Sequence, residues 1–227
     1  MPNSQFHTAI SEPRYLRYLT ACGNREKALK LYRANISLSQ QLYGVIGVFE
    51  VILRNSIDRH MITIKGKEWL EDAVASGGYL DIGLGCEYTF HSVQEAIQKL
   101  GQEYTHDRLI AKLTLGFWTY QFASKEFAAA GSKLLEIFPN RPFGIRQKQV
   151  FQSLIKINDI RNRVAHHEPV CFEKNVISTD RTEKRYGLIL ELLGWLGCDQ
   201  QQILYEIDEV KEAIMTIGSI KQLALIK

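Results

Sequence analysis

Between Ser37 and Ile64 the apolar residues Leu42, Val45, Ile46, Phe49, Ile52, Leu53, Ile57 and Met61 recur at spacings of three and four. That period is the stripe of an α-helix and cannot serve a strand, whose faces alternate every second residue. A helix of this length needs other helices to cover its stripe, which sets the architecture of the whole chain. From Asn24 to about Asn35 a second helical pattern places Ala28, Leu29, Leu31 and Tyr32 on overlapping faces. The two are expected to pair as a hairpin.

The same periodicity predicts helices over 91–104, 107–122, 124–138, about 146–166, 178–195 and 200–217. Pro139-Asn140-Arg141-Pro142 is expected to end the third of these. Strand signals are scarce, and there is no repeat, low-complexity run or linker. The simplest reading is one all-α domain over 1–227, with its clearest loop near 76–85. That loop carries four glycines, yet no strand precedes it and its spacing is not that of a phosphate-cradling motif.

At 227 residues the chain can bury a substantial core, and its 45% apolar and 23% charged content is that of an ordinary globular protein. A net charge of +3 is too small to imply nucleic-acid binding unless the charge is local. Cys22, Cys86, Cys171 and Cys198 are far apart. They suit neither a zinc site nor a disulfide scaffold, so reduced thiols in a cytoplasm are expected. Residues 1–12 lack the apolar core of a signal peptide, and the stretch Gly44–Leu53, interrupted by Glu50, is too short to cross a bilayer. No membrane association is expected.

The chemistry concentrates in Asn158-Asp159-Ile160-Arg161-Asn162-Arg163-Val164-Ala165-His166-His167-Glu168-Pro169. Arginine presents a permanently charged planar fork that fits a phosphate, and histidine exchanges protons near neutral pH. Together they are the minimum needed to cut a phosphodiester without a metal. Asn158, Asn162 and His166 fall four apart in a polar stripe. Arg161 and His166 are five apart, about 140° around a straight helix, so they do not converge on one atom. Two arrangements would bring them together: distortion ahead of Pro169, or a two-fold dimer in which each partner offers both groups to one cleft. The plainer alternative is that these cations only offset the negative end of a helix. Metal binding is disfavoured, because adjacent histidines point about 100° apart and no H-E-x-x-H spacing occurs.

Glu50, Arg54 and Asp58 recur every four residues inside the most apolar helix. Charges so placed should pair internally or face a polar cleft. Arg54 and Asn55 could reach the Arg161 site and help hold a phosphate. Phe117, Trp118 and Tyr120 suit a core more than a base-stacking platform, and Arg141, Arg146 and Lys148 near the proline turn could track a nucleic-acid backbone but suit a solvated surface better. His60, His91 and His106 have no convincing partners.

Arg161, Asn162 and His166 match the R-x-x-x-x-H signature of the HEPN superfamily, in which a polar residue follows the arginine. Further blocks lie in the same order as in the bacterial Abi-like (abortive infection) family, which the chain resembles over most of its length. They are Ser11-Glu12-Pro13-Arg14, Leu31-Tyr32-Arg33-Ala34-Asn35, Phe49-Glu50-Val51-Ile52-Leu53-Arg54-Asn55 and Leu113-Thr114-Leu115-Gly116-Phe117-Trp118. The resemblance implies a helical bundle of HEPN type with additional N-terminal and C-terminal helices, dimerising with the motifs face to face. It implies a cytoplasmic, cofactor-free and metal-independent endoribonuclease of a defence or toxin–antitoxin system, with RNA as substrate and an antitoxin or regulatory protein as partner. Arg161, Asn162 and His166 would be catalytic, and His167, Glu50, Arg54 and Asn55 auxiliary or RNA-binding. HEPN-like domains also include non-catalytic modules that bind RNA or protein. Glu168 stands where toxins silenced by nucleotide transfer carry tyrosine, so that mode of control is not implied.

Overall fold

The computed structural model describes residues 9–225 and is all-α apart from one two-residue strand pair. Helices α1 (Glu12–Cys22), α2 (Arg25–Lys65), α3 (Trp69–Val74), α4 (Glu87–Leu100), α5 (His106–Lys112), α6 (Leu115–Tyr120) and α7 (Ser124–Ala129) come first. Then follow α8 (Gln147–Ala165), β1 (Phe172–Glu173), β2 (Val176–Ile177), α9 (Asp180–Trp195), α10 (Gln200–Ile203) and α11 (Val210–Leu225). The signal-peptide reading covers residues 1–12, of which 1–8 lie outside the described residues. The chain divides into two compact units, one of residues 1–46, 160–187 and 204–227 and the other of 47–159 and 188–203.

The expected hairpin does not form, because α2 is a single 41-residue helix. The Asn24 carboxamide caps it, accepting from the backbone N–H of Glu26 at 2.8 Å and Lys27 at 3.2 Å. Nothing between Arg33 and Ser39 breaks it, since that span has neither glycine nor proline. Asn35, taken from the sequence as a helix end, spends its side chain on a distant segment described below. The helix stops only at Gly66, whose φ of 96° disfavours any side chain. By length and composition alone, an 18-residue window of α2 with mean hydropathy 1.5 is apolar enough to cross a membrane. Its stripe from Leu38 through Leu42, Val45, Phe49, Leu53 and Ile57 to Met61 is fully buried in this structure.

In the first unit, α1 inserts Tyr15, Tyr18 and Cys22 into the core. Tyr18 meets Tyr32 and Phe172 edge-on, with ring centroids 5.3 and 5.1 Å apart. Arg17 lies 4.7 Å over the Phe172 ring and donates to the Lys174 carbonyl at the tip of the β-hairpin. The helix expected over 200–217 is two helices. Glu206 takes a left-handed φ of 58°, and Asp208 restarts the chain by accepting from the Val210 N–H at 3.2 Å.

In the second unit the glycine loop folds back onto α3. A Cβ on Gly78 would collide with the Asp72 and Ala73 carbonyls, and Leu80 is buried against Ala73 and Cys86. Gly78 and Gly83, whose Cβ would meet the Tyr79 carbonyl, therefore serve packing. The helix expected over 107–122 breaks at Leu113, whose carbonyl accepts from the Trp118 indole N–H at 3.3 Å. That over 124–138 breaks at Gly131 and Ser132, with φ of 98° and 61°. Phe117 and Trp118 are core residues.

All four cysteines are free thiols, three of them buried and Cys198 partly covered. Burial raises the pKa of each above the ordinary thiol value, that of Cys171 to about 12. Thiolate is the reactive form. Alkylation of the native protein at neutral pH should therefore be slow, with Cys198 first, and all four should react after denaturation. Mass spectrometry of iodoacetamide-treated protein checks the order.

Glu126 is also buried, beside Thr89. The Thr89 hydroxyl lies 2.8 Å from the Cys86 carbonyl and 3.4 Å from Glu126 Oε1. Burial first, and the Glu87 carboxylate in addition, push the Glu126 pKa above 4.5, against smaller opposing hydrogen bonds. The folded state thus holds this proton where the unfolded chain has lost it. Stability should fall as pH rises from the ordinary glutamate range through the raised folded value. Glu126→Gln should flatten that dependence and raise stability at neutral pH, which urea denaturation at several pH values will show.

Candidate functional site

Helix α8 buries Val150, Leu154, Ile157, Ile160 and Val164 and turns Arg161, Asn162 and His166 away from that face. Regular α-geometry ends at Ala165. The His167 N–H then donates to the Val164 carbonyl at 3.0 Å and the Glu168 N–H to the Arg163 carbonyl at 2.8 Å. This pair of bonds is a Schellman termination, with His167 at the left-handed position (φ 56°) that glycine usually fills. Histidine visits that region more readily than most side chains. His166 keeps its helical bond to the Asn162 carbonyl at 2.9 Å, so Pro169 does not swing it round. The distortion foreseen ahead of the proline is confined to His167 and Glu168.

Arg163 fastens this terminus. Its guanidinium pairs with Glu168 at 3.3 Å and donates to the Pro169 carbonyl at 2.6 Å. It therefore links the two ends of the turn, where an apolar contact is more usual. Beyond Pro169 the chain is fixed by Asn35, whose carboxamide oxygen accepts from the buried N–H groups of Val170 at 2.8 Å and Cys171 at 3.2 Å. The buried Thr182 hydroxyl donates to the Val170 carbonyl at 2.7 Å. Residues 166–171 are thus held from three sides, and His166 and His167 project into solvent from a rigid base.

Of the expected trio, Arg161 and Asn162 come together, with Nη1 3.5 Å from Oδ1, at the outer limit of a hydrogen bond. Asn162 and His166 share a face, four residues apart. Arg161 remains about 140° round the helix axis from His166. Among the described residues neither His166 nor His167 has a side-chain hydrogen-bond partner. Asn35, Arg163 and Thr182 were missed in the sequence as positioning residues. Only Asn35 gave a signal there, as an amide inside an apolar helix.

Glu50 and, one turn on, Arg54 and Asn55 are half-buried on α2, within the second unit. Asp58 lies one turn further along the same helix. That carboxylate accepts from the Trp69 indole at 2.8 Å and lies 2.7 Å from His106 Nε2. His106, read from the sequence as lacking a partner, is buried in this network, with its Nδ1 left unbonded. The Arg54 Nε is likewise buried without a hydrogen-bond partner. Among the described residues no three histidine, cysteine or carboxylate side chains assemble as a metal site.

No family model, no curated protein and no solved structure matches the chain.

Proposed function

We propose that this chain is a metal-independent endoribonuclease of the Abi-like, HEPN type, working in the cytoplasm as a homodimer in bacterial defence. One observation carries the reading: Arg161, Asn162 and His166 stand on a firmly held helix end, with both the amide and the imidazole open to solvent. A structural ion pair or cap would tie up such groups. Here Arg163 does that work and leaves them available. In the reaction the RNA 2′-hydroxyl attacks its own phosphodiester. His166 takes or returns the proton, Arg161 neutralises charge on the phosphoryl oxygens, and Asn162 orients the imidazole or an oxygen. The products are a cyclic phosphate and a 5′-hydroxyl end. Because Arg161 and His166 diverge on one helix, the cleft is completed across a two-fold axis by the same residues of a second copy. His167 is the reserve proton carrier.

The test is purified protein and single-stranded RNA in excess chelator, with the new ends analysed. Cyclic phosphate and 5′-hydroxyl termini are the expected result; cleavage only with added magnesium overturns it. The divergence of Arg161 from His166 also favours a second reading, a non-catalytic module that holds RNA or a protein through Arg161. That reading requires RNA retention without new ends, weakened by Arg161→Ala and indifferent to His166→Ala.

A further inference from the structure

The turn between the short 3-10 segment Leu134–Ile137 and α8 presents a phenyl ring to solvent for no structural reason. Phe143 is fully exposed, while its neighbour in sequence Phe138 is buried between Phe122 and Trp195, with centroids 5.7 and 6.4 Å away. The turn is pinned along its length. The Asn140 N–H donates to the Trp195 carbonyl at 3.1 Å, its side chain to the Gly194 carbonyl at 3.2 Å, and the Ile145 N–H to the Pro142 carbonyl at 3.2 Å. Arg141 crosses the turn to donate to the Ile145 carbonyl, and Gly144 supplies a φ of 90°. The ring is therefore held out by a fixed backbone and loses little freedom on contact with a ligand.

It borders a cleft of about 530 Å³ that Leu135, Ile145, Arg141 and Arg146 also line. Exposed Lys148 is the second residue of α8. From Pro139 to Lys148 the chain has three cations and no carboxylate. A protein or lipid partner would call for a wider apolar patch around the ring. One projecting aromatic flanked by arginine and lysine is instead the arrangement that stacks a base and follows a phosphate backbone.

We propose that Phe143, Arg146 and Lys148 form a docking site for single-stranded RNA, with a base stacked on Phe143 and the cations on the adjoining phosphates. The choice of RNA rests on the ribonuclease reading above; the stacking and charge do not. The probe is a fluorescent 2′-O-methyl oligouridylate of about a dozen nucleotides, which 2′-hydroxyl attack cannot cut, followed by anisotropy. Phe143→Ala should weaken binding about 5- to 150-fold, the worth of one stacked base, and Phe143→Trp should keep it. Arg146→Ala should reduce the salt slope by roughly 0.7.

Unchanged affinity in Phe143→Ala overturns the site, as does Phe143→Trp binding as weakly as the alanine variant. A shift in sedimentation of Phe143→Ala without loss of RNA affinity assigns the ring to a contact between proteins and also overturns it. Phe143-dependent binding by a chain that leaves natural RNA uncut upholds this site and removes the nuclease reading. Cleavage in chelator with Phe143-independent binding does the reverse.

Discussion

In excess chelator, His166→Ala should lower RNA cleavage by about 10²–10⁴-fold, the usual contribution of a positioned proton carrier. Arg161→Ala should cost about 10²–10³-fold, by analogy with removal of an oxyanion donor. Neither change should alter the fold, because His166 is exposed and the helix terminus is fastened by Arg163, Glu168 and Asn35. Circular dichroism and melting should therefore match the wild type. The decisive measurement mixes the two inactive variants. In a shared cleft, a heterodimer of Arg161→Ala with His166→Ala still holds one arginine from one subunit and one histidine from the other. Part of the activity should return on co-expression. A site complete within one chain would recover nothing, since neither subunit then carries both groups.

The helical character of the chain was readable from periodicity, because burial on α2 and α8 follows the three-and-four spacing residue by residue. Helix ends were not, for a physical reason. A terminus depends on which backbone groups find other partners, and those partners are distant in sequence. Trp118 takes the carbonyl of Leu113 where one expected helix divides, while the Asn35 side chain satisfies N–H groups 135 and 136 residues away from within an unbroken α2. The same holds at the candidate site. Residue chemistry drew attention to the arginine–histidine run, resemblance singled out Arg161, Asn162 and His166 within it, and helical pitch gave their angular separation. What keeps their platform rigid was invisible, because Arg163 resembled one more cation in a basic run. The partners of Asp58 were out of reach as well, since Trp69 and His106 lie 11 and 48 residues away.

Asn35→Ala should be the most destabilising single change near the site. It removes the acceptor for two buried backbone N–H groups, Val170 at 2.8 Å and Cys171 at 3.2 Å. Each N–H left unsatisfied costs about 1–3 kcal/mol, so the loss should reach roughly 2–6 kcal/mol. For a chain of this size that corresponds to a fall in Tm of about 5–20 °C. Water cannot easily take over, since Val170 and Cys171 are themselves buried. Asn35→Asp keeps an acceptor but buries a charge, so it should recover stability only under acidic conditions, where the carboxyl is neutral. The segment freed by Asn35→Ala begins within four residues of His166, so hydrogen exchange should rise at 167–171 before it rises in α2. Cleavage should drop more gently than in His166→Ala, because the imidazole is still present but less firmly placed. Exchange at 167–171 unchanged from the wild type would remove Asn35 as the anchor of the histidine-bearing turn.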